Sequence, residues 1–204
     1  MNLAGASLQK GKYVIEEELG HGGFGVTYRA IRHPLNQRVV IKTLRWPGNT
    51  TEKAQQLQRF EAEARRLARC QHPHIVEVTD FFVEAGQPYL VMDFIPGQPL
   101  SALIFPGRPL AEDKALQYIR QITEALQTVH NQGLLHRDVK PQNIMIDGDS
   151  AILIDFGIAR ELTSGHTQTH TNLVSEGYAP LEQYLPKARR SAASDVYGLA
   201  ATLY

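Results

Sequence analysis

The sequence has few of the features that mark secreted, membrane-spanning or nucleic-acid-binding proteins. Its 204 residues include one cysteine, Cys70, which cannot form an internal disulfide and therefore indicates a reducing compartment such as the cytoplasm. The 21 basic side chains balance 21 acidic ones, so the broad positive field of a nucleic-acid-binding protein is not expected. No apolar run approaches the roughly 18–20 residues of a membrane-spanning helix, and the first residues lack the pattern of a signal peptide. The sequence predicts no nucleic-acid partner and no membrane segment.

The chain divides into a strand-rich part followed by a helix-rich part. Runs of β-branched and aromatic side chains predict strands over residues 13–15, 26–31, 38–42, 75–83 and 89–94. Apolar side chains recur every three or four residues over about 51–69, which predicts a helix within the strand-rich part. After the Pro/Gly-rich segment 95–99, the pattern predicts a longer helix over about 111–130, with Leu116, Ile119, Ile122, Thr123 and Leu126 on one side.

A glycine-rich segment, Gly20-His21-Gly22-Gly23-Phe24-Gly25, has the spacing G-x-G-x-x-G. Taken alone, this spacing fits a glycine-rich hairpin equally well. The dinucleotide-binding form of the motif opens a helix and has an acid about 20 residues later. Here a strand pattern follows, and Lys42 stands near the position of that acid. Because glycines let backbone N–H groups approach phosphate oxygens closely, the segment predicts a flap over a nucleotide.

Lys42 ends an apolar run, and a buried ammonium group there would need a counter-charge. The predicted helix offers Glu61 and Glu63. At 100° per residue, Glu63 lies about 60° from Phe60, inside the apolar arc, whereas Glu61 lies about 100° from Phe60 on the other side. Glu63 is therefore the predicted partner of Lys42, the alternative being that Lys42 is a solvated surface lysine.

Two polar clusters flank apolar strand patterns in the second part of the chain. His136-Arg137-Asp138-Val139-Lys140-Pro141-Gln142-Asn143 precedes one such run, and Asp155-Phe156-Gly157 follows another. A strand hairpin would bring Asn143 and Asp155 together, and the amide and carboxylate oxygens of these residues suit Mg²⁺.

In this order, the motifs resemble the catalytic domain of a bacterial-type, eukaryotic-like serine/threonine protein kinase. The resemblance runs from Tyr13 to the C-terminus and includes V-V-I-K ending at Lys42, H-R-D-V-K-P-Q-N, D-F-G and G-Y-A-P-L-E at 177–182. It implies an α+β, bilobal protein-kinase fold. Residues 1–12 would be an N-terminal leader, 13–94 an N-lobe with an antiparallel sheet and one main helix, and 95–204 a helical, incomplete C-lobe.

The resemblance implies ATP and Mg²⁺ as cofactors and transfer of the γ-phosphoryl group to serine or threonine hydroxyls of a protein substrate. It implies that Asp138 accepts or orients the proton of the acceptor hydroxyl and that Lys140 contacts the transferring phosphoryl group. Lys42, held by Glu63, would bind the α- and β-phosphates, and Asn143 and Asp155 would hold Mg²⁺. The other nucleotide-binding residues implied are Leu19, Gly20, His21, Gly22, Gly23, Phe24, Gly25, Val26, Thr27, Asp93 and Ile95.

The resemblance also implies an activation segment. Its substrate-facing end would include Ser175, Gly177, Tyr178 and Glu182. The candidate phosphorylation sites are Thr163, Ser164, Thr167, Thr169 and Thr171. A phosphate at one of them would add a charge of about −1.5 to −2 for Arg137 to bind. Self-association of two chains for autophosphorylation is a further partner interaction that the resemblance implies.

Several positions depart from the family pattern. Thr27 replaces a valine and Val40 an alanine, which predicts a narrower adenine slot. Pro99 and Gln142 stand where kinases that prefer basic substrates often carry acids, so we expect no strong preference for arginine upstream of the acceptor.

Two alternatives to an active protein kinase stay open. The chain ends at Tyr204 in an apolar segment that resembles the central helix of the larger lobe, so we expect a C-terminal truncation and an unstable chain. A truncated, catalytically incompetent nucleotide-binding fragment is therefore the first alternative. The second is a small-molecule phosphotransferase, which has no need of a peptide-binding segment such as the one at Ser175 and Gly177.

Overall fold

The structure is a computed structural model that describes residues 3–22, 25–44, 50–104, 109–156, 175–185 and 188–204. The chain forms two compact units. The first unit comprises Met1–Ala68 and Glu77–Phe94, and the second comprises Arg69–Val76 and Ile95–Tyr204.

The first unit contains a six-stranded antiparallel sheet and one helix. Its strands are β1 (Ser7–Leu8), β2 (Tyr13–Gly22), β3 (Gly25–Arg32), β4 (Gln37–Leu44), β5 (Val78–Glu84) and β6 (Gln87–Asp93). The spatial order is β1-β2-β3-β4-β6-β5, and the helix α1 (Thr50–Leu67) joins β4 to β5. The strand predicted from residue 75 therefore begins only at Val78, and the predicted helix ends at Leu67.

Alternating side chains build the core of this sheet. On β4, Val39 and Ile41 are fully buried, whereas Val40 and Lys42 between them are only partly buried, as the two-residue period of a strand requires. Tyr13, Phe82 and Tyr89 stack in series, with ring centroids 5.6 and 5.0 Å apart. These aromatic rings fill the interior of the sheet with large apolar surfaces.

The predicted leader is part of this unit from residue 3 onward. Strand β1 pairs with β2, and Leu3, Ala6 and Leu8 pack against the core of the sheet. The side chains of Lys12 and Tyr13 donate to the Asp80 carboxylate, each at 2.6 Å. Tyr13 begins β2, whereas β5, which carries Asp80, is the edge strand at the far side of the sheet, so these bonds join the start of β2 to the opposite edge of a curled sheet.

The second unit contains a three-stranded sheet and three helices among its described residues. The strands are β7 (Gln98–Pro99), β8 (Ile144–Asp147) and β9 (Ser150–Leu153), in that spatial order and antiparallel. The helices are α2 (Glu112–Asn131), α3 (Leu181–Tyr184) and α4 (Ala192–Leu203), and short 3₁₀ helices span Leu100–Ala102 and Pro141–Asn143.

Helix α2 packs on β9 through one apolar face. Its buried residues are Tyr118, Ile122, Ala125, Leu126 and Val129. The expectation that Leu116 and Thr123 lie on this face is wrong, since Leu116 is 44% exposed and Thr123 is exposed as well. The reason is angular, because six residues of helix rotate Leu116 about 120° away from Ile122.

The segment Arg69–Val76 lies along β9. The Leu153 backbone N–H donates to the His74 carbonyl at 2.9 Å, and the Val76 N–H donates to the Leu153 carbonyl at 3.0 Å. These hydrogen bonds explain why this stretch belongs to the second unit although its neighbours on both sides belong to the first.

Helix α4 buries Ser194, Asp195, Gly198 and Leu199. Val196, Tyr197 and Leu203 are each about half exposed, so large apolar side chains of this helix face solvent. Within the part of the chain that the structure describes, no helix combines the length and the apolar character needed to cross a membrane.

Candidate active site

Asp138 is the centre of a compact polar cluster in the second unit. The Asp138 side chain is 9% exposed. Its Oδ2 atom forms an ion pair with Lys140 Nζ and accepts a hydrogen bond from Asn143 Nδ2, both at 3.0 Å. Its Oδ1 atom accepts from the Ser175 hydroxyl at 2.7 Å. Three of the predicted site residues thus converge on the carboxylate predicted to accept a proton.

Lys140 closes the cluster into a ring. Besides its bond to Asp138, Lys140 Nζ donates to Ser175 Oγ at 2.8 Å. A cation and a hydroxyl therefore both face the same carboxylate, an arrangement that can orient a hydroxyl proton and stabilise added negative charge.

Asn143 is positioned to present an oxygen. Its amide nitrogen donates to the Asp138 side chain and, at 2.8 Å, to the Asp138 backbone carbonyl, which leaves the amide oxygen as the atom that can face a cation. The predicted hairpin is present, with Ile144 opposite Leu153. The Ile154 N–H donates to the Asn143 backbone carbonyl at 2.9 Å. Because Asp155 is the residue after Ile154, this bond holds the backbone of Asp155 near that of Asn143. This pair of oxygen-bearing side chains fits the ligand chemistry of Mg²⁺.

The backbone of His136 and Arg137, just before Asp138, is held by Asp195, a residue that the sequence did not single out as part of the site. The Asp195 carboxylate is 1% exposed and accepts the backbone N–H groups of His136 and Arg137 at 2.8 and 2.7 Å. It also bonds His130 Nε2 at 2.8 Å. Burial by itself raises the pKa of Asp195, but the His130 bond, the nearby His136 and these backbone donors together hold the pKa below its usual value. A carboxylate within an apolar helix was the only sequence signal for this role.

His136 is fully buried beside Asp138. Its Nε2 atom lies 2.8 Å from the Ile154 carbonyl, and its Nδ1 atom accepts the Asp138 N–H at 3.3 Å. These partners fit the neutral ring with the proton on Nε2. Burial lowers the pKa of His136, which keeps the ring neutral despite the acids around it.

The segment that starts at Ser175 is folded back on itself. The backbone N–H groups of Tyr178 and Ala179 both donate to the Ser175 carbonyl at 3.1 Å. Gly177 has φ +84°, a left-handed conformation that favours glycine. Glu182 accepts a hydrogen bond from the buried Ser194 hydroxyl at 2.7 Å. The four predicted residues of this segment thus form one turn and the short helix that follows it.

In the first unit, the glycine-rich segment forms the end of the β2–β3 hairpin. Gly20 lies opposite Thr27, His21 opposite Val26 and Gly22 opposite Gly25. A Cβ atom at Gly25 would lie 2.0 Å from the Thr43 carbonyl oxygen, whereas a Cβ at Gly20 would meet nothing within 4 Å. Of Gly20 and Gly25, only Gly25 is therefore required by the packing of the protein itself. Gly23 and Phe24 lie outside the described residues.

Lys42 and Glu63 occupy the positions that the sequence predicts. Lys42 lies on β4 opposite Thr27 and Leu90. Glu63 is 5% exposed, whereas Glu61 bonds Arg65 at 2.6 Å on the outer side of α1. The helix therefore turns Glu63 inward, and the pairing of Lys42 with Glu63 stays a prediction. Leu19 and Asp93 are also predicted to contact the nucleotide. Leu19 lies on β2, three residues before its end, and Asp93 is the last residue of β6.

The candidate phosphorylation sites Thr163, Ser164, Thr167, Thr169 and Thr171 lie outside the described residues, as does Gly157. The structure therefore bears on the end of the predicted activation segment, from Ser175 onward, and not on these sites.

Comparison with known proteins gives matches along nearly the whole chain. The sequence model of the protein kinase domain matches residues 13–204. The probable serine/threonine-protein kinase PknB of Lactococcus lactis is 36% identical over 199 residues, which covers 95% of this chain and 31% of that protein. The serine/threonine-protein kinase PknK of Mycobacterium tuberculosis is 39% identical over 192 residues, 92% of this chain and 17% of the relative.

Solved structures agree with these matches. The apo form of PpkA-294 superposes with a TM-score of 0.79 at 30% identity and covers 98% of this chain and 76% of that one. The kinase domain of M. tuberculosis PknI gives a TM-score of 0.71 at 27% identity, again over 98% of this chain. This agreement confirms the predicted α+β protein-kinase fold. The chain therefore belongs to the serine/threonine protein kinase family.

Proposed function

We propose that this chain transfers the γ-phosphoryl group of ATP to serine or threonine hydroxyls of a protein substrate. The observation that carries the proposal is the Asp138 carboxylate, which bonds Lys140, Asn143 and the Ser175 hydroxyl at 2.7 to 3.0 Å. The family uses ATP, and the curated relatives are serine/threonine-protein kinases. The chain spans about a third or less of the length of these relatives, so its substrates and partners are likewise part of the proposal.

Asp138 would orient the acceptor hydroxyl and take its proton. The ion pair with Lys140 and the hydrogen bond from Asn143 fix the carboxylate, so little reorganisation is needed when a hydroxyl binds. Lys140 would then face the transferring phosphoryl group and stabilise its charge. The Asp195 carboxylate contributes indirectly, because it holds the backbone on the N-terminal side of Asp138.

Asn143 and Asp155 would hold Mg²⁺ through one amide and one carboxylate oxygen. When bound, the ion neutralises charge on the phosphates of ATP. The residues of the first unit would bind the nucleotide itself. The backbone from Gly20 to Thr27 would cover the phosphates, and Lys42 would bind the α- and β-phosphates. Asp93 and Ile95 would contact adenine through their backbone groups.

Regulation and location belong to the same proposal. Phosphorylation at Thr163, Ser164, Thr167, Thr169 or Thr171 would give Arg137 an anionic partner, and two chains would associate when one phosphorylates the other. The buried thiol of Cys70 fits a reducing cytoplasm, and burial raises the pKa of this thiol, which disfavours the reactive thiolate.

The proposal is tested by following radiolabel from [γ-³²P]ATP into a serine- and threonine-rich protein in the presence of Mg²⁺. Asp138→Asn keeps the size of the side chain and removes the base, so label should fall about 100-fold or more, the usual contribution of general-base catalysis. Asp147→Asn is the matched control, because Asp147 is an exposed carboxylate at the end of β8 in the same unit. It should retain the wild-type rate.

The alternatives give different results in the same experiment. A small-molecule phosphotransferase would label added sugars or amino alcohols and leave the protein unlabelled. A catalytically incompetent fragment would bind ATP, as measured by calorimetry, and label nothing. Equal labelling by the wild-type chain and Asp138→Asn would contradict the assigned role of Asp138.

A further inference from the structure

Strand β6 carries a proline although it has a neighbouring strand on each side. Pro88 is the second residue of β6, and β6 lies between β4 and β5. Proline has no backbone N–H, so in such a strand it removes one bond of the ladder and is seldom found there. Pro88 is also buried, away from the water that could replace this bond. The sheet therefore needs another donor beside Pro88.

The turn before Pro88 shows which neighbouring strand loses the bond. Ala85 and Gly86, with φ +50° and +72°, join β5 to β6, and Glu84 lies opposite Gln87. A two-residue turn of this kind is closed by a backbone bond between the residues on either side of it, so the backbone of Gln87 faces β5. Because the backbone groups of successive residues in a strand point to opposite sides, the backbone of Pro88 faces β4.

On β4, the residue opposite Pro88 is Leu44. Thr43 pairs with Tyr89 in the antiparallel ladder of β4 and β6, and the next step of this register brings Leu44 to Pro88. The side chain of Gln87 provides a donor at this point. Its Nε2 atom donates to the Leu44 carbonyl and, at 2.5 Å, to the Thr43 hydroxyl oxygen. The amide of Gln87 thus replaces the backbone donor that Pro88 lacks.

The end of β4 that Gln87 holds also supports the glycine-rich hairpin. Gly25 lies opposite Leu44, and a Cβ atom on Gly25 would lie 2.0 Å from the Thr43 carbonyl oxygen. The hairpin therefore packs directly on the backbone of β4, with no side chain of Gly25 between them. Lys42 is the residue before Thr43 on the same strand. A shift of this strand end would change the spacing between Lys42 and the hairpin.

We propose that Gln87 is a positioning residue for nucleotide binding. It holds the end of β4 so that the glycine-rich hairpin and Lys42 keep the spacing that the phosphates of ATP require. This inference rests on the proposed function, which assigns the phosphates to these two elements. Gln87 acts through Thr43 and Leu44 and not by contact with the nucleotide, so its loss should weaken nucleotide binding and spare the phosphoryl-transfer step.

The test compares Gln87→Met with the wild-type chain, since methionine has a similar length and no donor. We expect the Kd of AMP-PNP with Mg²⁺, measured by calorimetry, to rise about three- to tenfold, the effect of losing one or two ordinary hydrogen bonds. KM for ATP should rise by the same factor, and kcat at saturating ATP should stay unchanged. A merely structural role would lower the melting temperature and the active fraction, and hence kcat, while Kd stayed constant.

Gln37→Met is the matched control, because it makes the same substitution at the other end of β4. Gln37 is exposed, and its amide oxygen accepts a hydrogen bond from Arg32. It should keep the wild-type Kd. Hydrogen exchange of the chain without nucleotide, followed by mass spectrometry, gives a second readout. Peptides from β3 and from the end of β4 should exchange faster in Gln87→Met and at the wild-type rate in Gln37→Met.

A double variant tests the substitution of one donor for another. Gln87→Met combined with Pro88→Ala restores a backbone N–H that faces β4, so its Kd should return toward the wild-type value. If this variant does not fold, Gln87→Glu decides, because glutamate keeps the size of glutamine without the donor. It should weaken AMP-PNP binding at least as much as Gln87→Met does.

A wild-type Kd in Gln87→Met would overturn the inference, as would a folded double variant that binds no more tightly than Gln87→Met. Both results leave the proposed function intact. A wild-type chain that binds AMP-PNP and labels no protein would overturn the proposed function alone, since the inference concerns nucleotide binding. A wild-type chain that binds no nucleotide would overturn both.

Discussion

Arg137 donates its backbone N–H to the Asp195 carboxylate at 2.7 Å, although 58 residues separate them in the sequence. Arg137 has φ +68°, a conformation that non-glycine residues seldom adopt. The hydrogen bond to Asp195 compensates for this strain in the Arg137 backbone. It thereby fixes the backbone conformation next to Asp138, from which the Asp138 side chain extends.

We expect Asp195→Asn to lower both stability and catalysis. The amide presents an N–H₂ group to donors that need an acceptor, so the free energy of unfolding should fall by roughly 1.5–3 kcal/mol, the usual worth of hydrogen bonds to a charged group. Urea denaturation and kcat for a peptide substrate measure the two effects. Asp149→Asn is the control, because Asp149 is 85% exposed and its partner Lys114 lies on the surface. A wild-type kcat in Asp195→Asn would contradict the positioning role.

Two glycines of the same motif should respond oppositely to alanine. Gly25→Ala places a Cβ atom 2.0 Å from the Thr43 carbonyl, so the first unit should lose roughly 1–3 kcal/mol of stability, as in overpacked cores. Gly20→Ala has open space in the protein and should melt at the wild-type temperature. If the segment covers ATP phosphates, Gly20→Ala should raise KM for ATP. Thermal melts and KM measurements on both variants check the contrast, which fails if Gly25→Ala is as stable as the wild type.

The bonds that Lys12 and Tyr13 donate to Asp80 in the first unit should weaken in acid. Burial raises the pKa of Asp80, but the hydrogen bonds from Lys12 and Tyr13 outweigh burial, and the net pKa is lowered. An acid whose pKa is lower in the folded state stabilises the protein above its unfolded pKa, about 3.9, and loses this contribution as the pH falls below that value. Asp80→Asn should therefore be less stable at neutral pH, by about 1 kcal/mol given the exposure of Lys12, and should show a flatter loss of stability below pH 4.

Lys12→Met distinguishes the contributions of the two hydrogen bonds to Asp80, since it removes the bond from Lys12 and keeps the bond from the Tyr13 hydroxyl. We expect it to cost less than Asp80→Asn, because the Lys12 side chain is 45% exposed and surface ion pairs contribute little. Urea denaturation at pH 3 to 7 measures all three proteins. Equal stability of Asp80→Asn and wild type at neutral pH would contradict a stabilising role for these bonds.

His136 should give a separate loss of stability at a higher pH. Its pKa is lowered by burial, so the unfolded chain binds a proton near pH 6.5 that the folded chain does not bind. Stability is therefore complete above about pH 6.5 and falls below it, with a slope of up to about 1.4 kcal/mol per pH unit for one proton. His136→Phe should flatten this slope between pH 5 and 6.5.

His21→Gln is the control for His136, because the His21 side chain is 69% exposed on the first unit. It should keep the wild-type slope over the same pH range. A wild-type slope in His136→Phe would show that another group causes the loss of stability.

Gln142 allows the predicted substrate preference to be tested. It is exposed one residue before Asn143 and carries no charge, so arginine upstream of the acceptor should give little gain in a peptide library. Gln142→Glu should raise kcat/KM for peptides with upstream arginine and leave alanine-substituted peptides unaffected. An arginine-dominated motif for the wild-type chain would contradict this prediction.

Much of this protein could be predicted from local patterns. Residue order identified the family, and the helical angle selected Glu63 over Glu61. The β8–β9 hairpin was also predictable, because two short apolar runs flank a turn. These features depend on residues close together in the chain, where geometry follows from the period of the secondary structure.

The tertiary structure decided the contacts that join distant residues. No periodicity places Asp195 under the backbone of Arg137, the Ser175 hydroxyl on Asp138, or Lys12 and Tyr13 on Asp80. The tertiary structure also placed Arg69–Val76 in the second unit, through backbone hydrogen bonds with Leu153. Such contacts arise only when separate elements pack, because a buried hydrogen-bonding group must find its partner wherever the fold brings one near. The sequence by itself therefore determined the family and the candidate chemical groups, and packing determined what holds those groups in place.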